Sequence, residues 1–347
     1  MPKRPFYIVL LSIIILISLF LFQNLISKEK NSLATNENNE NIFGGILDNN
    51  PHNLSIEYLR KQNYPGSDLK IEQTLEPGSN YSRHIVSYLS EGLKIYALLT
   101  IPKADPPKDG FPAIVFNHGY IPPAQYKTTE KYIAYTDAFS RNGYVLLRPD
   151  YRWHGSSEGE ATGAYGSNAY AIDILNALSS LKKHKSVNPN RIGMWGHSLG
   201  GFITLRAMVV SKDIKAGVIW AGVVGSYEDL FERWRRRNAP SATPSTRGGS
   251  WRQALSQQFG EPSQNPTFWN SISANSFLSD ISGPLQLHHG TADSSVPVEF
   301  SEKLAQQLKD VGKIVELYTY SGDDHNISAN FGTAARRSVE FFDKYLK

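Results

Sequence analysis

The chain has 347 residues, enough for about two domains of roughly 150 residues each or for one large one. With 40% apolar and 20% charged residues it can bury a substantial core, and a net charge of only +4 argues against a nucleic-acid-binding protein. The absence of cysteine excludes thiol nucleophiles, cysteine zinc sites, iron–sulfur clusters and disulfides, and leaves the redox compartment open.

Lys3 and Arg4 precede an apolar run over residues 6–22 that is broken by Ser12 and Ser18. A run of about 17–25 apolar residues crosses a bilayer as a helix. Residues 1–27 are expected to be an uncleaved membrane anchor. A cleaved signal peptide is the alternative, disfavoured because no small-x-small cleavage site follows, and a buried core helix is a remote third. In the first two cases the rest of the chain lies outside the cytoplasm, anchored or secreted. Residues 28–53 read as a polar tether. Eight of the 23 residues from Asn31 to Asn53 are Asn, too polar a composition to offset the entropy of ordering. Residues 54–347 are expected to form the folded domain.

Within it, residues 82–89 and 93–101 flank Ser90-Glu91-Gly92 and predict a β-hairpin. Residues 113–116 predict a short strand ending at Asn117-His118-Gly119. Residues 131–141 predict a helix capped by Gly143. Residues 144–147 predict the next strand, and Ala171, Ile172, Leu175, Leu178 and Leu181 recur at helical spacing. Strands follow at 192–195, 218–224, 285–288 and 315–320, with helices at 202–210, 298–308 and 334–346. This alternation predicts an α/β fold: a mainly parallel sheet, an N-terminal antiparallel hairpin and helices on both faces. Residues 227–280 break the rhythm. They separate two strands by a Pro/Ser/Gly-rich stretch too long for a structureless loop. We read them as an inserted, partly helical lid over the carboxyl edge of the sheet. Trp234, Trp251, Phe259, Phe268 and Trp269 are its candidate apolar walls, or else pack it onto the body.

Gly196-His197-Ser198-Leu199-Gly200 is a G-x-S-x-G motif between a predicted strand and a predicted helix, the setting of a nucleophile elbow. Ser198 is the expected nucleophile. A serine hydroxyl needs an adjacent base. In this arrangement the partners follow in the order serine, acid, histidine, which leaves His288, His289 and His325. His325 lies in a loop just after the last strand and is the expected base; His288 and His289 end a buried strand and read as structural. Asp293, in the loop after the penultimate strand, is the expected orienting acid. Asp323 and Asp324 are rivals, but they adjoin His325 too closely to reach across its ring. The backbone N–H of Leu199 and that of Tyr120, after His118-Gly119, are the expected oxyanion donors.

Four motifs in this order resemble an α/β-hydrolase: Asn117-His118-Gly119, Arg148-Pro149-Asp150-Tyr151-Arg152-Trp153-His154-Gly155, residues 196–200, and His289-Gly290-Thr291-Ala292-Asp293 followed by His325. The chain is most similar to the catalytic domain of the prolyl oligopeptidase family and related esterases. The resemblance implies a serine peptidase that acylates Ser198 and deacylates with water, acting on a small acyl or peptide substrate without a cofactor or metal. A carboxylesterase is the alternative, and a non-catalytic, hydrolase-shaped binding protein is the remote one. Trp153 departs from the family, which often has Gly there. The family's β-propeller is not expected in the short stretch before the hairpin, so its restriction to short peptides is not carried over. Arg233-Trp234-Arg235-Arg236-Arg237 reads as a solvated helix face, with anionic lipid or an acidic substrate as the alternative.

Overall fold

The computed structural model describes residues 52–160, 163–234 and 250–347. The apolar run over residues 6–22 and most of the polar segment lie outside the described residues. So do residues 235–249, which hold most of the basic run and the Pro/Ser/Gly-rich stretch. Among the described residues, no helix is long and apolar enough to cross a membrane.

The chain enters through α1 (Ile56–Lys61), whose cap Ser55 accepts the Tyr58 N–H at 3.0 Å. An edge strand β1 (Lys70–Leu75) pairs antiparallel with β2 (Tyr81–Ser90), which pairs antiparallel with β3 (Leu93–Pro102). The turn between β2 and β3 puts both Glu91 (φ 50°) and Gly92 (φ 81°) in the left-handed region, as a two-residue hairpin loop requires. The next elements are β4 (Phe111–Asn117), α2 (Ile133–Ser140), β5 (Val145–Pro149), α3 (Ala169–Lys182), β6 (Val187–His197), α4 (Leu199–Val210) and β7 (Ala216–Trp220). Then come the helices of the insertion, α5 (Tyr227–Glu232), α6 (Ser250–Phe259) and α7 (Pro266–Ile272), and a 3-10 helix over Ala274–Asp280. The chain closes with β8 (Leu285–Gly290), α8 (Glu299–Asp310), β9 (Val315–Tyr320) and α9 (Phe331–Leu346).

These strands form a nine-stranded sheet in the order β1-β2-β3-β5-β4-β6-β7-β8-β9, parallel from β5 onward. Strands β4, β5, β7 and β8 are buried along their whole length, because helices cover both faces. Alternate side chains go to opposite layers. Ala113 and Val115 join the core that holds α3, α4 and α8, while Ile114 and Phe116 join the one that holds α2 and α9. Helix α4 is buried at every residue from Leu199 to Val209, so it shows no polar face.

Three local expectations change. The strand expected over residues 218–224 ends at Trp220. Residues 221–224 turn back around the elbow, with the Val223 N–H donating to the Ser198 carbonyl at 3.0 Å. Their apolar character reflects burial rather than strand. The helix expected from residue 131 starts at Ile133, because Lys131 and Tyr132 hold φ 55° and 50°. Of the candidate lid walls, Phe268 and Trp269 are buried in the main core, and Phe259 stacks on Phe268 at 3.8 Å.

Candidate active site

Ser198 sits between the end of β6 and the start of α4. Its backbone is held at φ 55° and ψ −117°, a conformation costly for a residue with a Cβ. Three hydrogen bonds enforce it. Its N–H donates to the Trp220 carbonyl at 3.0 Å, and its carbonyl accepts the Gly201 and Val223 N–H groups, each at 3.0 Å. The turn is possible because residue 200 is glycine: a Cβ there would collide with the Asn117 carbonyl oxygen. His197 and Leu199 on either side are buried while Ser198 is half-buried, so the strained turn turns this hydroxyl-bearing residue toward solvent.

The loops after β8 and β9 meet at the same edge. The Ala292 N–H donates to the Asp323 carbonyl at 2.9 Å and the Thr291 N–H to the Tyr320 carbonyl at 2.9 Å. Across this seam His325 Nδ1 lies 2.7 Å from Asp293 Oδ2. A carboxylate only accepts, so Nδ1 carries the proton and Nε2 keeps a free lone pair. The Asp293 side chain has no solvent exposure, whereas that of His325 is 20% exposed. Asp293 receives three further donors: the N–H groups of Ser295 (2.7 Å) and Val296 (3.0 Å) on Oδ1, and His289 Nε2 (3.1 Å) on Oδ2. Burial pushes its pKa up, but the hydrogen bonds from His289, His325 and Val296 outweigh it. The carboxyl is held well below the usual carboxylate range.

His289 has a place the sequence did not assign. Its Nε2 faces only acceptors, Asp293 Oδ2 and the Val296 carbonyl, each at 3.1 Å, so it carries the proton, and Nδ1 accepts the Ser301 hydroxyl at 2.7 Å. The rivals Asp323 and Asp324 are engaged elsewhere. Asp323 accepts the Asp324, Ala329 and Asn330 N–H groups, and Asp324 accepts those of Asn326 and Ser328. Both shape the loop that carries His325.

The loop after β4 closes on Ser198 from the other side. A Cβ on Gly119 would lie 3.2 Å from the Ser198 Cβ and 3.1 Å from His197 Nδ1, so the backbone runs directly beside the elbow. Tyr120 follows and is 62% exposed. Leu199 is the first residue of α4, and a first-turn N–H has no acceptor within its own helix. The His197 and His325 rings stand 4.7 Å apart, which brings the elbow and the β9 loop together. A cleft of about 270 Å³ opens beside Asp293, lined by Arg233, Thr291, Ser294, Ser295 and Glu299 among others; neither Ser198 nor His325 lines it. Trp234 ties the insertion to this cleft by donating its indole N–H to the Ser295 carbonyl at 2.9 Å. Among the described residues no three His, Asp or Glu side chains are grouped to hold a metal.

An elbow serine at the carboxyl edge of such a sheet defines the α/β-hydrolase fold. The chain belongs to the prolyl oligopeptidase family, whose model matches residues 132–347, and by family it is a serine hydrolase of peptidase or esterase type. It is 26% identical over 251 residues to the uncharacterized peptidase YtmA of Bacillus subtilis, covering 72% of this chain and 88% of that one. The acylaminoacyl peptidase of Pyrococcus horikoshii superposes with a TM-score of 0.62 at 20% identity over 78% of this chain. This chain spans only 42% of that protein's length. The acetyl xylan esterase of Paenibacillus sp. R4 superposes with a TM-score of 0.63 at 17% identity, covering 84% of this chain and 92% of the esterase.

Proposed function

We propose that this chain hydrolyses acyl bonds through an acyl-enzyme on Ser198, with His325 as general base and Asp293 as its orienting acid. The observation that carries this is the 2.7 Å contact between His325 Nδ1 and an Asp293 side chain without solvent exposure, in a protein that also holds Ser198 in a strained elbow. In this reading His325 Nε2 takes the Ser198 hydroxyl proton as Oγ attacks the acyl carbon. The N–H groups of Leu199 and Tyr120 receive the oxyanion, and His325 returns the proton to the leaving group. Water then repeats the sequence on the acyl-enzyme.

A peptide substrate is the first reading, supported by the family and by the peptidase names of the Bacillus and Pyrococcus proteins. A small ester is the second, supported by the esterase likeness, which covers nearly the whole of that enzyme. A fluorophosphonate probe followed by a panel of p-nitrophenyl esters and aminoacyl p-nitroanilides tests both. Labelling at Ser198 with turnover of one series is expected. No labelling would leave a non-catalytic binding protein.

The apolar run over residues 6–22 supports an anchor that holds the enzyme outside the cytoplasm, with secretion after cleavage as the alternative. The intact chain is expected to sediment with membranes, and a chain starting near Asn41 to stay in the supernatant and remain active. A soluble mature protein lacking its first residues would replace the anchor with a signal.

A further inference from the structure

Three segments must keep register in the reaction proposed above: the loop after β4, the elbow, and the loop that carries His325. One chain of hydrogen bonds joins all three, and its direction is fixed at every link. The Gly119 N–H can only donate, and it lies 2.8 Å from Tyr132 Oη, which therefore accepts. The Tyr132 hydroxyl proton is then free to point at His197 Nδ1, 2.7 Å away. That nitrogen accepts, so the His197 proton sits on Nε2, which donates to the backbone carbonyl of His325 at 3.0 Å. Burial, and to a lesser degree the neighbouring His325, holds the His197 pKa down to about 3, so the ring keeps this neutral tautomer throughout the neutral range.

The centre of the chain is held rigidly. Tyr132 is itself at φ 50°, after Lys131 at φ 55°. The buried Arg148 guanidinium pins the run leading into it, donating to the carbonyls of Thr128 (2.5 Å), Glu130 (3.2 Å) and Lys131 (2.8 Å). The Tyr132 ring packs edge-on against Phe116 of β4 at 5.6 Å. A polar relay of this kind is not needed to fill a core, since Phe would fill the same space as Tyr. What the hydroxyl adds is a fixed connection between the three segments.

Resting on the hydrolase reading, we propose that Tyr132 and His197 are positioning residues: together they set the oxyanion loop and the His325 loop in register with Ser198. Neither touches the reacting atoms. Tyr132→Phe removes only the hydroxyl and keeps the ring. His197→Gln retains a donor toward the His325 carbonyl and loses the acceptor facing Tyr132.

The experiment counts active sites by fluorophosphonate labelling and measures kcat and KM per labelled site in the parent, the two variants and the double variant. Tyr132→Phe is expected to lower kcat per labelled site by about 10- to 100-fold, with KM within about twofold. Because Tyr132→Phe already removes the link to His197 that His197→Gln cuts, the double variant is expected to fall no further than Tyr132→Phe alone. A merely structural role would lower the labelled fraction and leave turnover per labelled site at the parent value. That result in Tyr132→Phe overturns the proposal even if His197→Gln fails to fold, and so do losses that multiply in the double variant. No labelling of the parent itself would instead overturn the hydrolase reading, and this inference with it.

Discussion

Ser198 is held in its strained backbone by contacts to β7 and to residue 223, none of which involves its own hydroxyl. Ser198→Ala is therefore expected to leave the fold and its thermal midpoint unchanged while removing the covalent route. About 10³–10⁴-fold acceleration over water typically survives such a loss. Parent-like turnover of any panel substrate in that variant would remove Ser198 from the mechanism. Asp293 makes a separate, thermodynamic prediction. Its folded-state pKa is depressed, so the stability it contributes is present in full above its unfolded value of about 3.9. That contribution is lost as pH falls through the lower folded value. In urea midpoints from neutral pH down to about 3, the parent should lose stability toward acid more steeply than Asp293→Asn, whose side chain does not ionise. Equal slopes would show that the hydrogen bonds to Asp293 do not favour its charged form. These residues were legible in the sequence because each sits in a short motif at a predictable strand end. His289 and the pairing of Tyr132 with His197 were not. His289 bonds residues only four to twelve positions on, but through a turn whose geometry no motif spells out, and no local pattern marks His197, whose second nitrogen meets a carbonyl 128 positions away.

At the scale of elements, most strands and helices were legible from apolar runs and periodicity. One cause recurs among the failures: burial and strand are the same signal in sequence. Residues 221–224 are apolar because they line the inside of the elbow. Strand β1 was missed for the converse reason, since it is an edge strand of mostly exposed residues with little alternation to read. Strand β6 begins five residues before its apolar run, through the polar Asn188-Pro189-Asn190. The close approach of α4 to β4 makes a sharp prediction here. A Cβ at residue 200 would meet backbone, the Asn117 carbonyl, which cannot rotate away as a side chain would. Gly200→Ala is expected to cost about 3 kcal/mol or more. Gly92→Ala in the β2–β3 turn has open space and only an unfavourable φ, and should cost about 1–2 kcal/mol. The ratio of the two losses in urea unfolding decides the point: if Gly200→Ala is the milder change, the Asn117 backbone yields to a methyl group and the approach of α4 to β4 is not a tight one.

At the scale of the whole molecule, the insertion expected as a lid divides into two unlike halves. Its second half is core. Phe268, Trp269, Ile272 and Leu278 are buried, and the buried Arg206 of α4 donates to the Ile272 carbonyl at 2.5 Å. Removing all of residues 227–280 would open the main core and leave Arg206 without that acceptor, so that deletion is expected not to fold. The first half differs. Trp234 reaches Ser295 beside Asp293, and Arg233 lines the cleft there. The two ends of the intervening stretch lie close together, with Phe231 and Trp251 ring centroids 5.7 Å apart and Arg252 donating to the Leu230 carbonyl at 2.9 Å. A short Gly/Ser linker in place of residues 235–249 can therefore bridge them without disturbing α5 or α6. We expect that variant to keep its thermal midpoint and its fluorophosphonate labelling, because the hydrogen bonds described at Ser198 and between Asp293 and His325 are made by residues outside that stretch. Its relative kcat/KM across the ester and anilide panel should shift, because the stretch continues directly from the side chains that line the cleft. If the ranking of substrates stayed that of the parent, selectivity would lie instead with the half-exposed Trp153 and Tyr120 on the opposite loops.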